Sequence, residues 1–395
     1  MTAIRRLGAS LLAPALAVVV AIVITTLVIL AIGQHPGTAL QVLFDFGDSP
    51  SQQTQAIVVI LNRAVPLFLA GLAVSVAFRM GLFNIGVEGQ YRMATVIAAG
   101  AGAAVVLPAP LHLLLIMVVA MAVGAFWAGI VAVLKVTRGV SEVISSIMLN
   151  FIALGTASYL LTGPLRGSEA GAAIITTTDI PESGRFPALN GVFDVLGLAQ
   201  PRTQLYGFLL VAVVVGVVVS VLIRRTRFGF DLRATGLSPS AATASGIDAR
   251  AMVIKTMLIS GAIAGLIGLP DLLGRTYHFG TEFTAGLGFL GIAVALLGRN
   301  NPLGIAFAAL LFAFLDRAAV PLQFADIPAS VVTIIQGTIV LSVVVANEVA
   351  RQVTRRRAGR DSGQGDTGTA AGGTSAGPEG PIGTRITDDR QGAGA

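Results

Sequence analysis

The sequence predicts an all-α membrane protein of about ten transmembrane helices, some of them broken, with both termini in the cytoplasm. Three observations carry that prediction. Hydrophobic residues make up 54% of the 395 and charged residues only 12%, giving a mean hydropathy of +0.84. Apolar runs of about 20 residues recur, each long enough for a hydrocarbon layer roughly 30 Å thick. Runs such as 209–222 are apolar all round rather than alternating, which favours helices over barrel strands. Finally, the basic residues collect in short segments between the runs, as in cytoplasmic loops. The net charge of +6 is therefore read as membrane orientation and not as a nucleic-acid surface.

The elements follow in order. Residues 1–10, with Arg5 and Arg6, form a cytoplasmic N-terminus. The run 11–32 exceeds the 7–15-residue core of a secretory signal and is read as the first span. Residues 33–55 carry Asp45 and Asp48 without Lys or Arg and belong outside. A second span, 56–78, has Asn62 and Arg63 in its outer turn and a bend at Pro66. After a break at 81–90, a third span, 94–107, reaches the outside near Pro108 and Pro110, and a fourth, 111–134, returns to Lys135 and Arg138. The fifth covers 140–161. An outer loop, 162–203, is too polar to span and suits short interfacial helices or a docking surface. The sixth span, 205–223, leads into a cytoplasmic segment, 224–250.

In the seventh span, 251–269, Gly261 and Gly265 form a small-xxx-small pair that permits close helix contact. Residues 270–284 are polar and outside. A short eighth span, 286–298, and a ninth, 303–315, reach the outside near Asp316 and Arg317. The tenth, 329–350, completes a transmembrane domain over 11–350. Residues 351–395 begin basic and continue rich in Gly, Thr, Ser and Asp, a composition that cannot bury a core.

The stretch that organises the chain is GLFNIGVEGQ, 81–90. Gly81, Gly86 and Gly89 each disfavour helix by about 1 kcal/mol against alanine. Irregular backbone in a membrane persists only where protein buries it or a water-filled cavity solvates it. Asn84, Glu88 and Gln90 in the same stretch are therefore candidates for a solute pathway. For Glu88 a second reading stands beside this one, a structural carboxylate capping the amides of the break. Gly286, Gly288 and Gly291 mark a second glycine-broken segment in the other half, the paired pattern of transporters built from inverted repeats. Glu142, Ser146 and Asn150 are spaced by four and share one face of the fifth span. That face turns from lipid into the pathway, or Glu142 is simply an interfacial residue at a helix start.

In the cytoplasmic segment, Ser238 is an expected N-cap, Pro239 a first helical residue and Gly246 a stop. A short helix held there suits a lever gripped by another protein; an ordinary loop is the alternative.

Some chemistry is missing from the sequence. It contains no G-x-x-x-x-G-K-[ST] loop and no H-E-x-x-H. It has no cysteine, and His35, His112 and His278 are scattered, so neither a metal site nor a cofactor is expected. Conduction, ion-coupled transport and transport powered by another subunit remain.

Four stretches taken together resemble the permease subunits of bacterial ABC importers of the ribose and branched-chain amino acid class, closest to nucleoside permeases. They are 81–90, SEVISSIMLN at 141–150, LRATGLSPSAATASGI at 232–247, and GFLGIAVALLGRNNPLG at 288–304. The resemblance covers about 62–341. It implies a type II-like importer permease in the cytoplasmic membrane that is not itself an enzyme. Its implied partners are a second permease subunit, an ATP-binding cassette subunit and an external solute-binding lipoprotein. The ATP-binding subunit would grip Arg233, Gly236, Ser238, Pro239, Ala241, Ala242, Gly246 and Ile247. The implied solute is a nucleoside, with a simple sugar such as ribose as the alternative and an ion-coupled secondary transporter as the alternative class.

Overall fold

The computed structural model describes residues 23–342 apart from 170, 282 and 329, together with residues 19 and 345. The expected N-terminus 1–10, the start of the first span, the end of the tenth and the tail 351–395 lie outside the described residues. Every named element among the described residues is helical, and extended pairing is confined to two bridges, Arg166 with Thr177 and Thr176 with Gly280.

Helices α1 (Val23–Ala31) and α2 (Pro36–Phe44) meet at 114°. Left-handed Gly33 stops the first and Pro36 starts the second, so part of the expected outer loop is helix. Helix α3 (Pro50–Phe78) begins before the expected residue 56. Ser49 and Gln52 form a reciprocal capping box, and Pro50 occupies the first position. Asn62 and Arg63 consequently lie well inside the helix and not in an outer turn. Helices α4 (Val87–Ala104), α5 (Ala109–Arg138) and α6 (Glu142–Thr162) follow, with left-handed Gly139 closing α5. The segment expected as an outer loop holds a 3-10 turn, Glu182–Gly184, and the short α7 (Gly191–Val195).

Next come α8 (Phe208–Arg225), α9 (Arg227–Leu237), α10 (Pro239–Ala244) and α11 (Ala249–Gly265). The helical path continues through α12 (Leu269–Asp271) and a π-turn at Leu272–Thr276, past the expected end at 269. Helix α13 (Leu287–Leu297) precedes α14 (Pro302–Phe324), which continues beyond Asp316 and Arg317 instead of ending before them. Arg317 donates through Nη2 to the Asp45 carbonyl and stacks on Phe46 at 4.5 Å, so a neighbouring segment holds it within the helix, while its buried Nη1 has no partner among the described residues. The last described helix is α15 (Ser330–Ser342).

Among the described residues, six helices are long and apolar enough to cross a membrane, seven if α1 and α2 count as one span, with α13 and α15 as shorter apolar helices. Of the six, α3 and the 249–276 stretch are the most buried. The outward surface is apolar, with Phe126, Phe151, Val214 and Val218 exposed, as contact with lipid requires. Helices α5 and α11 cross closely because the side chains there are minimal. A Cβ on Gly261 or Gly265 would strike the backbone carbonyl of Gly124 or Ala120.

Candidate functional site

After α3 the chain reverses through Gly81 (φ 74°) and enters α4 at Gly86 and Val87. The polar residues of this break bond to one another. Asn84 and Gln90 exchange two amide hydrogen bonds of 2.8 and 3.0 Å, and Asn84 also donates to Ser260 Oγ at 2.8 Å. Ser260 in turn donates to the Ala73 carbonyl. Asn150 on α6 accepts from the Gly89 amide at 2.9 Å and donates to the Ile85 carbonyl at 3.0 Å. Asn150 thus satisfies backbone groups of the break, while Asn84 and Gln90 satisfy each other's side-chain amides. Ser146, fully buried, lies against Gly86, and its Oγ has no partner among the described residues. Glu142 makes an ion pair with Lys135 at 2.6 Å and also faces the Phe83 backbone of the break.

Asn150→Ala strips an acceptor from the Gly89 amide and a donor from the Ile85 carbonyl. The expected result is a loss of about 1–3 kcal/mol, seen as a lower Tm of the purified protein. An unchanged Tm with lost uptake would instead make Asn150 a solute contact.

The two glycine-containing segments meet at Glu88. This carboxylate, 7% exposed, accepts from the amides of Gly286 and Gly288, one at each oxygen, both at 2.9 Å. It therefore caps the N-terminus of α13 while standing in the first turn of α4, so two positive helix ends share one negative charge. Arg92 donates to Oε1 at 2.9 Å. Of the six glycines expected at breaks, Gly81, Gly86 and Gly286 stand there. Gly89, Gly288 and Gly291 lie inside helices and serve close approach: a Cβ on Gly288 would strike the Glu88 backbone, and one on Gly291 would meet Ala70 at 2.6 Å.

A second charged pair is absent from the sequence-based candidates. Arg63 on α3 donates through Nε to Asp316 Oδ2 on α14 at 2.7 Å. Gln336 donates to the other carboxylate oxygen at 2.8 Å. Arg63 Nη1 reaches Thr284 Oγ1 at 3.5 Å, and the Thr284 carbonyl accepts from Tyr91, whose hydroxyl also touches Glu88 at 3.4 Å. The two ion pairs therefore belong to one network. The signal available in the sequence was a charged residue within each of two apolar runs, and assigning those residues to span ends hid it.

At the basic end of the bundle, Ser238 caps α10 by accepting from Ala241, Pro239 is its first residue, and Gly246 (φ 84°) ends it. The preceding residues form α9 rather than loop. Gly236 packs so closely on the turn after α3 that a Cβ would strike the Arg79 carbonyl. Arg233 donates to the Ile223 carbonyl, and Ala242 is buried while Leu237 is 89% exposed. Burial, followed by the charges of Arg224 and Arg233, holds the Arg79 pKa below its ordinary value.

Residues 56–344 match the family described as branched-chain amino acid transport system / permease component. The chain belongs to this permease family. All four motif stretches and the Arg63–Asp316 and Arg92–Glu88 ion pairs fall inside the match. The permease is 34% identical to a glucose ABC transporter permease protein of Haloferax volcanii, over 83% of this chain and 85% of the relative. It is also 34% identical to a guanosine ABC transporter permease protein of Bacillus subtilis, over 86% and 94%. A nucleoside ABC transporter permease protein of Lactococcus lactis is 31% identical over 84% and 90%.

Proposed function

We propose that the permease is the membrane-spanning subunit of an ATP-driven importer that carries nucleosides across the bacterial cytoplasmic membrane. The observation that carries this reading is the near full-length similarity to permeases named for guanosine and for nucleosides. Equal identity to a glucose permease favours one second reading, a simple sugar as solute. Ten crossings fit the elements: the six long helices, the bent α1–α2 pair, α4, α13 and α15. With the basic end of the bundle in the cytoplasm, both termini lie inside and 162–203 lies outside. Hydrolysis then belongs to an ATP-binding subunit seated on α9 and α10. A second permease subunit completes the path, and an external lipoprotein delivers solute. The exposed Leu237 and the tight seat of Gly236 on the end of α3 support α9–α10 as the element that moves the bundle.

The test is uptake of labelled guanosine and glucose by the reconstituted complex, with and without ATP. Guanosine accumulation that needs the ATP-binding subunit and survives an ionophore is expected. Accumulation by this chain alone would refute the reading. Gly236→Val, which lifts α9 from the Arg79 turn, is expected to reduce uptake to background while the partner still hydrolyses ATP.

A further inference from the structure

We propose that Arg63 is a solute-recognition residue, with its guanidinium fork presented to the hydrogen-bond acceptors of an uncharged solute and Asp316 positioning it. The inference rests on the nucleoside reading above and names the group that would read such a solute. Arg63 lies near the middle of α3, and Asp316 is about two turns from the end of α14, so both charges are deep in the bundle.

A charge at membrane depth faces protein or a water-filled space, not lipid. The pair is the more open of the two in the network, with side chains 27% and 20% exposed against 15% and 9% for Arg92 and Glu88. The pattern of bonding matters more than the exposure. Asp316 takes only Nε of Arg63, and Gln336 donates to its other oxygen, so each carboxylate oxygen already has a partner. On the guanidinium, Nη1 makes one long contact to Thr284, and Nη2 has no partner among the described residues. Nη2 is not among the buried unpaired groups, so it remains reachable.

An arginine held at Nε by a carboxylate offers its two terminal nitrogens as a parallel fork. That fork matches a carbonyl oxygen beside a ring nitrogen, the geometry by which arginine reads the O6 and N7 edge of guanine. The local charge is balanced, Arg63 and Arg92 against Asp316 and Glu88, so the site favours uncharged solutes over anions. Lysine at position 63 would keep the ion pair and lose the fork.

The experiment uses the complete importer in proteoliposomes with guanosine and 7-deazaguanosine, which lacks the ring-nitrogen acceptor. Arg63→Lys is expected to raise KM for guanosine about tenfold or more, the range of one lost bidentate contact. It should also abolish the preference for guanosine over 7-deazaguanosine, with unchanged assembly and basal ATP hydrolysis. The double variant Arg63→Met with Asp316→Leu removes the pair without stranding a charge; it should assemble and fail to transport. Wild-type KM in either variant would overturn the proposal. So would loss of subunit assembly in Arg63→Lys, which would make the fork a contact to the second permease subunit. Should the wild-type importer carry glucose and not guanosine, the nucleoside reading fails by itself. The KM of Arg63→Lys for glucose then decides the role of Arg63 separately.

Discussion

Glu88→Ala is expected to cost about 3–5 kcal/mol, the range for removing one partner of a buried ion pair, and to leave little folded protein. The reason lies in what the carboxylate satisfies. It is the shared acceptor for the Gly286 and Gly288 amides and for Arg92, and the helix ends α4 and α13 converge on it. Alanine leaves two amides and a buried guanidinium unpaired at once. Glu88→Gln keeps an oxygen for one amide, but its NH2 group opposes the other amide, so an intermediate loss is expected. Thermal unfolding in detergent, followed by size-exclusion chromatography, checks both variants. A Glu88→Ala protein with wild-type Tm and no uptake would transfer Glu88 from scaffold to solute path.

The second large effect is at the α5–α11 crossing. Gly265→Val is expected to destabilise the bundle by at least about 3 kcal/mol, the upper end of ordinary overpacking. Already the Cβ would collide with the Ala120 carbonyl, and a backbone atom cannot rotate aside as a side chain can. The branched methyls would force the helices apart along the whole seam, including the facing Gly124 and Gly261. Folded yield after membrane extraction is the measurement, and a yield matching that of the wild type would refute the close crossing. Gly155, where an added Cβ would meet nothing within 4 Å, gives the control: Gly155→Ala should be tolerated.

Much of this was legible in the residues. The helix break falls within the expected stretch but is shorter, ending at Gly86 because Val87–Gln90 already form the first turn of α4, and α10 has the Ser238 cap, Pro239 start and Gly246 stop expected of it. Helix ends were less legible. The Ser49–Gln52 box that starts α3 was present in the sequence but lay inside a stretch read as outer loop. That misplacement moved Arg63 to a span end, and stopping the ninth span at 315 did the same to Asp316. With both residues assigned to the water interface, their pairing could not be seen. The pathway candidates Asn84, Gln90 and Asn150 are polar residues inside the bundle, and their hydrogen bonds tie the break and the start of α4 to one another and to α6 and α11.

By itself the sequence determined the helical membrane class, the position of the break and the caps of α10, because hydropathy and turn chemistry act over a few neighbouring residues. Tertiary structure alone decided which groups meet. Glu88 joins an amide 198 residues away, and Arg63 a carboxylate 253 residues away. Such partners are chosen by how the helices pack, since a charge held away from bulk water takes the complement that the fold brings within about 3 Å.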